Sequence, residues 1–377
     1  MNRVVIAAVA VAALVGAGVL GWFEVRQARD FRRLLAVGDA AIAHDQPSSA
    51  IEAYSGAIAL RRDSMLGWLK RGDTYRRQGD YASALRDLQQ ASTLDPSAPR
   101  PLELLADVQD AVGNHGRAVE LYSRFVNLDD REPRIFYKLA LAQYRDGHPA
   151  AAIDSLRKAS ALDRRMVEAS YLLGLCERDL KHPEQAADAF ARAVALDAAF
   201  APAREALAAV DLGLGRRREG LEQLDALAAL EPLRQDRLID LALAYGRAGR
   251  LESAVLTLAR GAERAAASED LYLALARVWL DFAEDSNDRV AMQKALEALR
   301  LASAIDKDTS EHLLLRGRAQ LLSNDAGAAE RLLAAATATL PAEPAAFHYL
   351  AEAAERVGHH ALAQTARARY QALTDNP

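Results

Sequence analysis

The sequence predicts an all-α protein: a right-handed superhelical solenoid of about ten helix-turn-helix repeats, preceded by a transmembrane helix at the N-terminus. Three observations support this prediction. Small residues recur every 34 residues between Phe31 and Pro377, and glycines recur midway through many of these intervals. No segment shows the alternation of apolar and polar residues that is typical of strands. An uninterrupted apolar run near the N-terminus predicts the additional helix.

Residues 4–23 form an apolar run, VVIAAVAVAALVGAGVLGWF, that contains no charged side chain. At a rise of about 1.5 Å per residue, a helix of this length covers the roughly 30 Å of a bilayer core. Trp22 and Phe23 at its end are suited to the membrane interface. We therefore expect residues 4–23 to insert in a membrane as a retained anchor. A cleaved signal peptide is the alternative, with residues 15–17 as the cleavage site, although cleavage would leave apolar residues at the start of the mature chain.

The charges around this run bear on the side of the membrane at which the remaining chain lies. Four arginines follow the run and Arg3 precedes it, which by the positive-inside rule favours a cytoplasmic location. A long domain is nevertheless translocated largely regardless of flanking charge, and a cleaved signal peptide requires export. Taken together, these considerations favour a single-pass membrane protein whose remaining chain is exported to the periplasm rather than cytoplasmic.

Two columns of small residues define the repeat. When the first interval is numbered from Phe31, the eighth position of every interval is glycine or alanine: Gly38, Gly72, Ala106, Ala140, Gly174, Ala208, Ala242, Ala276, Gly317 and Ala351. The twentieth position is equally small: Ala50, Ala84, Ala118, Ala152, Ala186, Gly220, Ala254, Ala295, Ala329 and Ala363. Small side chains at these positions allow the two helices of a repeat to approach closely, and they allow each repeat to stack on the next.

Glycines also mark the turn between the two helices of a repeat, because a helix often ends at a residue with a positive φ angle. These turn glycines are Gly79, Gly113, Gly147, Gly215, Gly249 and Gly358. Prolines that follow Asp95, Glu231 and Leu340 indicate the ends of second helices, since the residue before a proline avoids the α region.

The repeats are expected to start at residues 31, 65, 99, 133, 167, 201, 235, 269, 310 and 344. This divides the chain into an N-terminal anchor (or signal peptide) with a short linker, residues 1–30, and a solenoid, residues 31–377. The eighth repeat contains seven additional residues, and its polar stretch 284–288 suggests an elongated turn. Since the repeats account for the whole of 31–377, no segment remains for a separate catalytic domain.

The repeat that starts at Met65 carries a pattern of aromatic and small residues: Trp68, Gly72, Tyr75, Ala84, Ala91 and Pro96. In this pattern and in its period the chain resembles the tetratricopeptide repeat family, and in architecture it is similar to membrane-anchored bacterial members. The resemblance implies paired antiparallel helices, with the first helix of each repeat lining a concave groove that binds proteins or peptides. The chaperone-binding members use a basic clamp at positions that hold other residues in this chain, namely Leu69, Asp73, Glu103 and Asp107.

Tyrosine, leucine and arginine residues are concentrated at the expected groove positions of the fourth and fifth repeats. They are Tyr137, Leu141, Tyr144, Arg145, Tyr171, Leu175 and Arg178. Tyrosine and arginine are common at binding hot spots because they combine a large contact surface with a polar group. We expect these seven residues to bind a partner. The alternative is that the tyrosines fill the space between the helices of their own repeats.

Other classes of function receive little support from the sequence. Cys176 is the only cysteine, so neither a disulfide framework nor a cysteine-based metal site is expected. The net charge of −5 argues against nucleic-acid binding. No sequence typical of a phosphate-binding loop, a nucleophile elbow or a zinc protease is present. We therefore expect no catalytic residues, no metal and no cofactor, and hence no enzyme.

The functional prediction is a non-enzymatic, membrane-anchored scaffold of a bacterial envelope that binds partner proteins or extended peptides in its groove. Two alternatives stay open. The first is a structural protein that self-assembles through its terminal repeats. The second is an accessory subunit of an envelope biosynthesis or export complex that binds a glycan through acidic and aromatic groove residues. Fold alone does not decide between these functions.

Overall fold

Helices account for all regular secondary structure in the described part of the chain. The computed structural model describes five segments: residues 2–264, 268–286, 288–306, 309–339 and 343–375, with side chains from residue 21 onward apart from residue 264. Within them the chain forms twenty α-helices and no strand. The predicted all-α class is therefore confirmed. The chain divides into two compact units, Met1–Leu196 and Asp197–Pro377.

Each odd-numbered helix packs on the even-numbered helix that follows it, so that consecutive helices form hairpins. The first unit contains α1 (Asn2–Ala43), α2 (Pro47–Leu60), α3 (Met65–Arg77), α4 (Tyr81–Leu94), α5 (Pro99–Ala111), α6 (His115–Leu128), α7 (Pro133–Arg145), α8 (Pro149–Leu162), α9 (Val167–Asp179) and α10 (Pro183–Leu196). The second unit contains α11 (Ala201–Gly213), α12 (Arg217–Leu230), α13 (Gln235–Arg247), α14 (Leu251–Arg264), α15 (Glu269–Ser286), α16 (Arg289–Ser303), α17 (Ser310–Leu322), α18 (Ala326–Ala338), α19 (Pro344–Val357) and α20 (His360–Thr374).

The turns within the hairpins share one backbone feature, a residue with a positive φ angle. All six turn glycines that the sequence predicted have φ between 72° and 91°. In three hairpins without such a glycine, Asp45, Lys181 and Asn324 take its place with φ angles of 54°, 64° and 62°. The left-handed conformation therefore recurs even where glycine does not, which the sequence pattern had not revealed.

Large side chains of second helices lie over small residues of first helices. In the α3–α4 hairpin, a Cβ atom at Gly72 would lie 2.8 Å from Cγ of Leu88, which is too close for a normal contact. Gly317 is covered by Leu333 in the same way, at 2.5 Å from Cγ. Leu88 and Leu333 are fully buried. The close approach of the two helices in a hairpin thus depends on the column of small residues.

Five of the seven additional residues, which were expected to form an elongated turn, lengthen a helix instead. α15 has 18 residues, whereas α13 and α17 each have 13. Leu280 and Ala283 are buried near its end, so the apolar stripe continues into the insertion and stabilises the extra turn. The carboxylate of Asp288 then accepts a hydrogen bond from the Val290 amide at 2.7 Å and caps α16.

First helices of successive hairpins contact each other directly. In the first unit these contacts join α3 to α5 and α7 to α9, and in the second unit they join α13, α15, α17 and α19 in series. First helices that contact one another along a stack of hairpins form a shared surface. Side chains on α7 and α9, which carry the predicted binding residues, therefore belong to one surface.

The structure corrects the predicted single-pass membrane location and the periplasmic export that followed from it. Among the helices searched in the described part of the chain, none is both long enough and apolar enough to cross a membrane. From residue 21 onward α1 carries charged side chains at short intervals, including Glu24 and Asp30, while Phe31 and Leu35 are buried in a core cluster with Tyr54 of α2. This end of α1 is thus the first helix of a hairpin. The side chains of the apolar run up to residue 20 lie outside the described residues.

Candidate functional site

The predicted binding residues form a tyrosine–arginine patch on two neighbouring first helices. α7 carries Tyr137, Leu141, Tyr144 and Arg145, and α9 carries Tyr171, Leu175 and Arg178. Side chains four and seven residues apart lie on one face of a helix. The tyrosines and leucines are half-buried, whereas the two arginines are exposed. Each helix therefore presents an aromatic and apolar surface that is bordered by a positive charge.

A buried cluster beneath the patch fixes its position. Tyr137, Leu141, Tyr144 and Leu175 pack against this cluster, which includes the fully buried Leu156 of α8. Because each of these side chains has one side in the core, its conformation is restricted before any partner binds. A restricted side chain loses less conformational entropy on binding than a mobile one.

Asp179 joins the two helices of the patch. The Tyr144 hydroxyl on α7 donates a hydrogen bond to Oδ2 of Asp179 on α9 at 2.7 Å, and Nη2 of Arg178 donates to Oδ1 at 3.1 Å. Burial raises the pKa of Tyr144, and the hydrogen bond to Asp179 raises it further, so the phenol stays protonated and remains the donor. Asp179 was not among the predicted site residues, although it follows Tyr144 by 35 residues, close to one repeat.

Arg145 is held by the preceding hairpin. Its Nη1 donates to Oδ2 of Asp110 on α5, and the other carboxylate oxygen of Asp110 lies 2.8 Å from Nδ1 of His115. The same guanidinium affects the pKa of Tyr137. Burial raises this pKa and the charge of Glu168 raises it further, whereas the charge of Arg145 lowers it. Asp110, which the sequence analysis also missed, fixes the direction of one of the two patch arginines.

Tyr171 makes a contact within its own hairpin. Its ring centroid lies 5.7 Å from that of Phe190 on α10, with an angle of 46° between the rings. Tyr137 and Tyr171 are 34 residues apart and occupy the same position of successive repeats. Both are half-buried, but the stacking on Phe190 commits part of the Tyr171 ring to packing between helices. The alternative of packing between the helices of its own repeat therefore applies to part of the Tyr171 ring, and partner binding by its exposed part stays a prediction.

A buried carboxylate organises the adjoining first helices. Glu103 on α5 accepts hydrogen bonds from three cations: Arg100 at 2.5 Å, Lys138 at 2.9 Å and Arg134. Burial alone would raise the pKa of Glu103, but the hydrogen bonds from Arg134 and Lys138 outweigh it and lower the pKa to about 2. Glu103 is thus ionised at neutral pH and links α5 to α7.

Two hydrogen-bonded triads repeat one pattern, in which an aspartate accepts from a tyrosine of its own hairpin and from a lysine of the next. They are Tyr54–Asp39–Lys70 and Tyr122–Asp107–Lys138. In both triads the lysine follows the aspartate by 31 residues. Asp107 was predicted only to occupy a clamp position, and these links between hairpins were not predicted. Opposite charges separated by about one repeat were the signal that would have revealed them.

Metal and thiol chemistry find little support in the described segments. Within them, no group of three or more His, Cys, Asp or Glu residues is arranged to hold a metal ion. Cys176 is buried, and burial together with the nearby carboxylates of Asp179 and Glu177 raises the pKa of its thiol to about 12. A thiol with this pKa is protonated at neutral pH and is a poor nucleophile.

Parts of the chain are similar to two known protein families and to a curated protein. The profile of the family described as "Tetratricopeptide repeat" matches residues 35–99 and 69–133. A second profile, "Anaphase-promoting complex, cyclosome, subunit 3", matches residues 111–193. The small glutamine-rich tetratricopeptide repeat-containing protein 2 of Mycosarcoma maydis is 32% identical over 94 residues, which is 25% of this chain. The match spans 27% of the length of that curated relative.

Two solved structures are similar to parts of this chain. The C-terminal part of a TPR repeat-containing protein from Cytophaga hutchinsonii superimposes with a TM-score of 0.56 at 16% identity, over 65% of this chain and 99% of that chain. The crystal structure of MamA matches with a TM-score of 0.42 at 26% identity, over 44% of this chain and 96% of that chain. The first of these similarities, at its low identity, concerns the fold alone.

Proposed function

The chain belongs to the tetratricopeptide repeat family, and from this premise we propose that it is a non-enzymatic scaffold that binds partner proteins or extended peptides along the first helices of its hairpins. The proposal is supported by the stacked hairpins of each unit, whose first helices contact one another and present a continuous surface. A continuous helical surface of this kind suits an extended ligand, because successive hairpins can each contribute one contact.

The hydrogen bond between Tyr144 and Asp179, 2.7 Å long, is the observation that carries the proposal. It ties α7 to α9 and, through Arg178, sets the direction of an exposed guanidinium beside half-buried aromatic rings. Aromatic and arginine side chains that are rigid before binding are the residue types that contribute most of the free energy of binding at protein interfaces.

Each member of the patch has a proposed role. Tyr137, Tyr144 and Tyr171 supply ring surface, and Leu141 and Leu175 supply the apolar floor between the rings. Arg145 and Arg178 supply the exposed positive charges, which suit acidic or carbonyl groups of a partner. All seven residues lie on one pair of helices, α7 and α9.

Affinity capture with the full chain tests the proposal. We expect partner proteins to be retained by the natural chain and lost from a variant that carries both Tyr137→Ala and Tyr171→Ala. Tyr81→Ala is the control, because Tyr81 is a half-buried tyrosine on the second helix α4, away from the first helices. Equal retention by the double variant and the control would show that the patch is not the binding site.

A further inference from the structure

A cavity of about 180 Å³ lies among the first helices of the second unit, apart from the tyrosine–arginine patch. Its walls come from α13, α15, α17 and α19. The floor is apolar and includes Leu243, Val278 and Leu314, while charged residues surround it. Ligand pockets for drug-sized molecules measure about 300–1,000 Å³. This cavity is smaller and is of a size for a single side chain.

The charged residues of the cavity are organised in two acid-rich groups. On one side Arg318 donates to Asp281 at 2.9 Å and to Glu284 at 2.6 Å. On the other side Arg277 donates to Glu311 at 2.7 Å, and Glu343 lies 3.6 Å from the same guanidinium nitrogen. Each arginine thus faces two carboxylates, so acidic side chains outnumber basic ones in each group.

In both groups the carboxylates are more exposed than the arginine that they face. The Asp281 and Glu343 side chains, which line the cavity, are 55% and 40% exposed, whereas the Arg318 side chain is 9% exposed. Burial raises the pKa of Glu311. The charge of Arg277 lowers this pKa, and the charge of Glu343 raises it. Arg247, exposed at the edge of the cavity, and Arg277, whose side chain is 28% exposed, are the opposing cations.

Arg318 carries a buried hydrogen-bond donor that a ligand of the cavity could satisfy. Its guanidinium lies 4.9 Å from the ring centroid of Tyr349, and its Nε–H is buried without an acceptor among the residues that the structure describes. A buried donor without an acceptor is costly. A polypeptide brings backbone carbonyl oxygens that accept hydrogen bonds, whereas a free diamine brings none.

We propose that this cavity binds one basic side chain, lysine or arginine, of a partner polypeptide. The aliphatic stem of such a side chain packs on Leu243, Val278 and Leu314, as the stems of lysine and arginine do on apolar surfaces. Its charged end reaches Asp281 from one wall and Glu343 from the other. The site goes beyond the proposed function, because it lies in the other unit and specifies the chemistry of a different contact.

Methyl NMR of the full chain, with labelled leucine and valine, tests this assignment. The probe is the capped pentapeptide Ala-Ala-Lys-Ala-Ala, compared with peptides that carry glutamate or norleucine at the centre and with 1,5-diaminopentane. We expect the lysine peptide to shift the methyl signals of Leu243, Val278 and Leu314 at the lowest concentration. Equal or tighter binding of the glutamate or norleucine peptide, or of the diamine, would overturn the proposal.

Matched variants separate the cavity from general stability. Asp281→Asn and Glu343→Gln should each weaken the lysine peptide about threefold to fivefold, as expected for one exposed ion pair. Glu284→Gln and Glu311→Gln remove carboxylates from the same two arginines without altering a residue that lines the cavity. They should change the affinity less than about twofold.

Arg247→Gln should change the affinity for the lysine peptide in the opposite direction. Arg247 is exposed, so its replacement leaves the core intact. Removing this cation should strengthen the lysine peptide about twofold to threefold, because one repulsive charge is lost. Weaker binding of the lysine peptide to this variant would contradict the proposal.

An equal loss of affinity in all four carboxylate variants would also contradict the proposal, since it would indicate a general effect of negative charge rather than a defined site. The Tyr137→Ala, Tyr171→Ala double variant should bind the peptide normally, so the two proposals can fail separately.

Discussion

The ring of Phe190 on α10 covers Gly174 on α9 so closely that a Cβ atom at Gly174 would lie 2.5 Å from Cδ1 of that ring. Phe190 is fully buried and is also the residue on which Tyr171 stacks. One contact therefore determines both the distance between two helices and the position of a patch residue. Changes at Gly174 test whether the small-residue column is essential.

Gly174→Leu should destabilise the protein by about 1–3 kcal/mol or more, because the new side chain overpacks a filled site. Loss of hydrogen-exchange protection should be concentrated in α7–α10, since contacts in a stack of hairpins are between neighbours. Gly327→Ala is the control: nothing lies within 4 Å of a Cβ atom there, so alanine should stabilise α18 by up to about 1 kcal/mol. Protection lost evenly along the whole chain would contradict this prediction.

The Tyr137→Ala, Tyr171→Ala double variant should lose roughly 2–4 kcal/mol of partner binding free energy, as hot-spot truncations do. The melting temperature should fall less for Tyr137→Ala than for Tyr171→Ala, since the Tyr171 ring stacks on Phe190. Binding and melting should be measured on the same samples by calorimetry. A large decrease in melting temperature with unchanged partner capture would show that these tyrosines are core residues only.

Tyr144→Phe removes the hydroxyl that donates to Asp179 and keeps the ring. The free energy of unfolding should decrease by about 0.5–1.5 kcal/mol, the usual contribution of one hydrogen bond. Tyr137→Phe is the matched control on the same helix, and its stability should stay within about 0.5 kcal/mol of the natural protein. Urea unfolding followed by circular dichroism measures both. Equal stability of the two variants would show that the hydrogen bond between Tyr144 and Asp179 does not stabilise the contact between α7 and α9.

Glu103 should make the first unit sensitive to acid. Its pKa of about 2 lies below the ordinary value of 4.5. The ionised carboxylate therefore stabilises the folded state above pH 4.5, and this contribution is lost as the pH falls from 4.5 towards 2. Glu103→Gln should cost on the order of 2–3 kcal/mol at pH 7 and much less at pH 2.5.

The comparison needs urea unfolding at both pH values and a control carboxylate. Glu120→Gln serves this purpose, because Glu120 is an exposed residue on α6 whose ion pair with Arg117 is at the surface. This control should change stability by less than about 0.5 kcal/mol at either pH. If Glu103→Gln costs the same at pH 2.5 as at pH 7, then the loss comes from packing rather than from charge.

The fold class could be predicted from the sequence because its determinants are local and periodic. Small residues at fixed positions and glycines in the turns report helix contacts directly. The α15 insertion was misjudged because residues 284–288 are polar, whereas the helix is extended by the apolar Leu280 and Ala283 just before them. The membrane location was likewise predicted from the hydropathy of one apolar run. The sequence alone did not show that α1 continues as the first helix of a hairpin.

The candidate site was predictable only in part. The helical spacing placed Tyr137 and Tyr144 on one face, but half-burial depends on side chains from other helices. The stacking of Tyr171 on Phe190 depends on which residue the second helix presents. Asp179 was overlooked because pairing between hairpins requires charges to be compared at a distance of one repeat, rather than within a helix.

The triads of tyrosine, aspartate and lysine bear on how the length of such a chain changes in evolution. Asp39, Asp73 and Asp107 follow one another at 34-residue intervals. Loss of residues 99–132 by unequal recombination would bring Lys138 to the spacing from Asp73 that now separates it from Asp107, 31 residues. An ancestral gene could therefore gain or lose a whole hairpin and keep a lysine opposite an aspartate at the new junction. Change by complete repeats thus preserves the spacing of this pair, whereas an insertion of another length alters it.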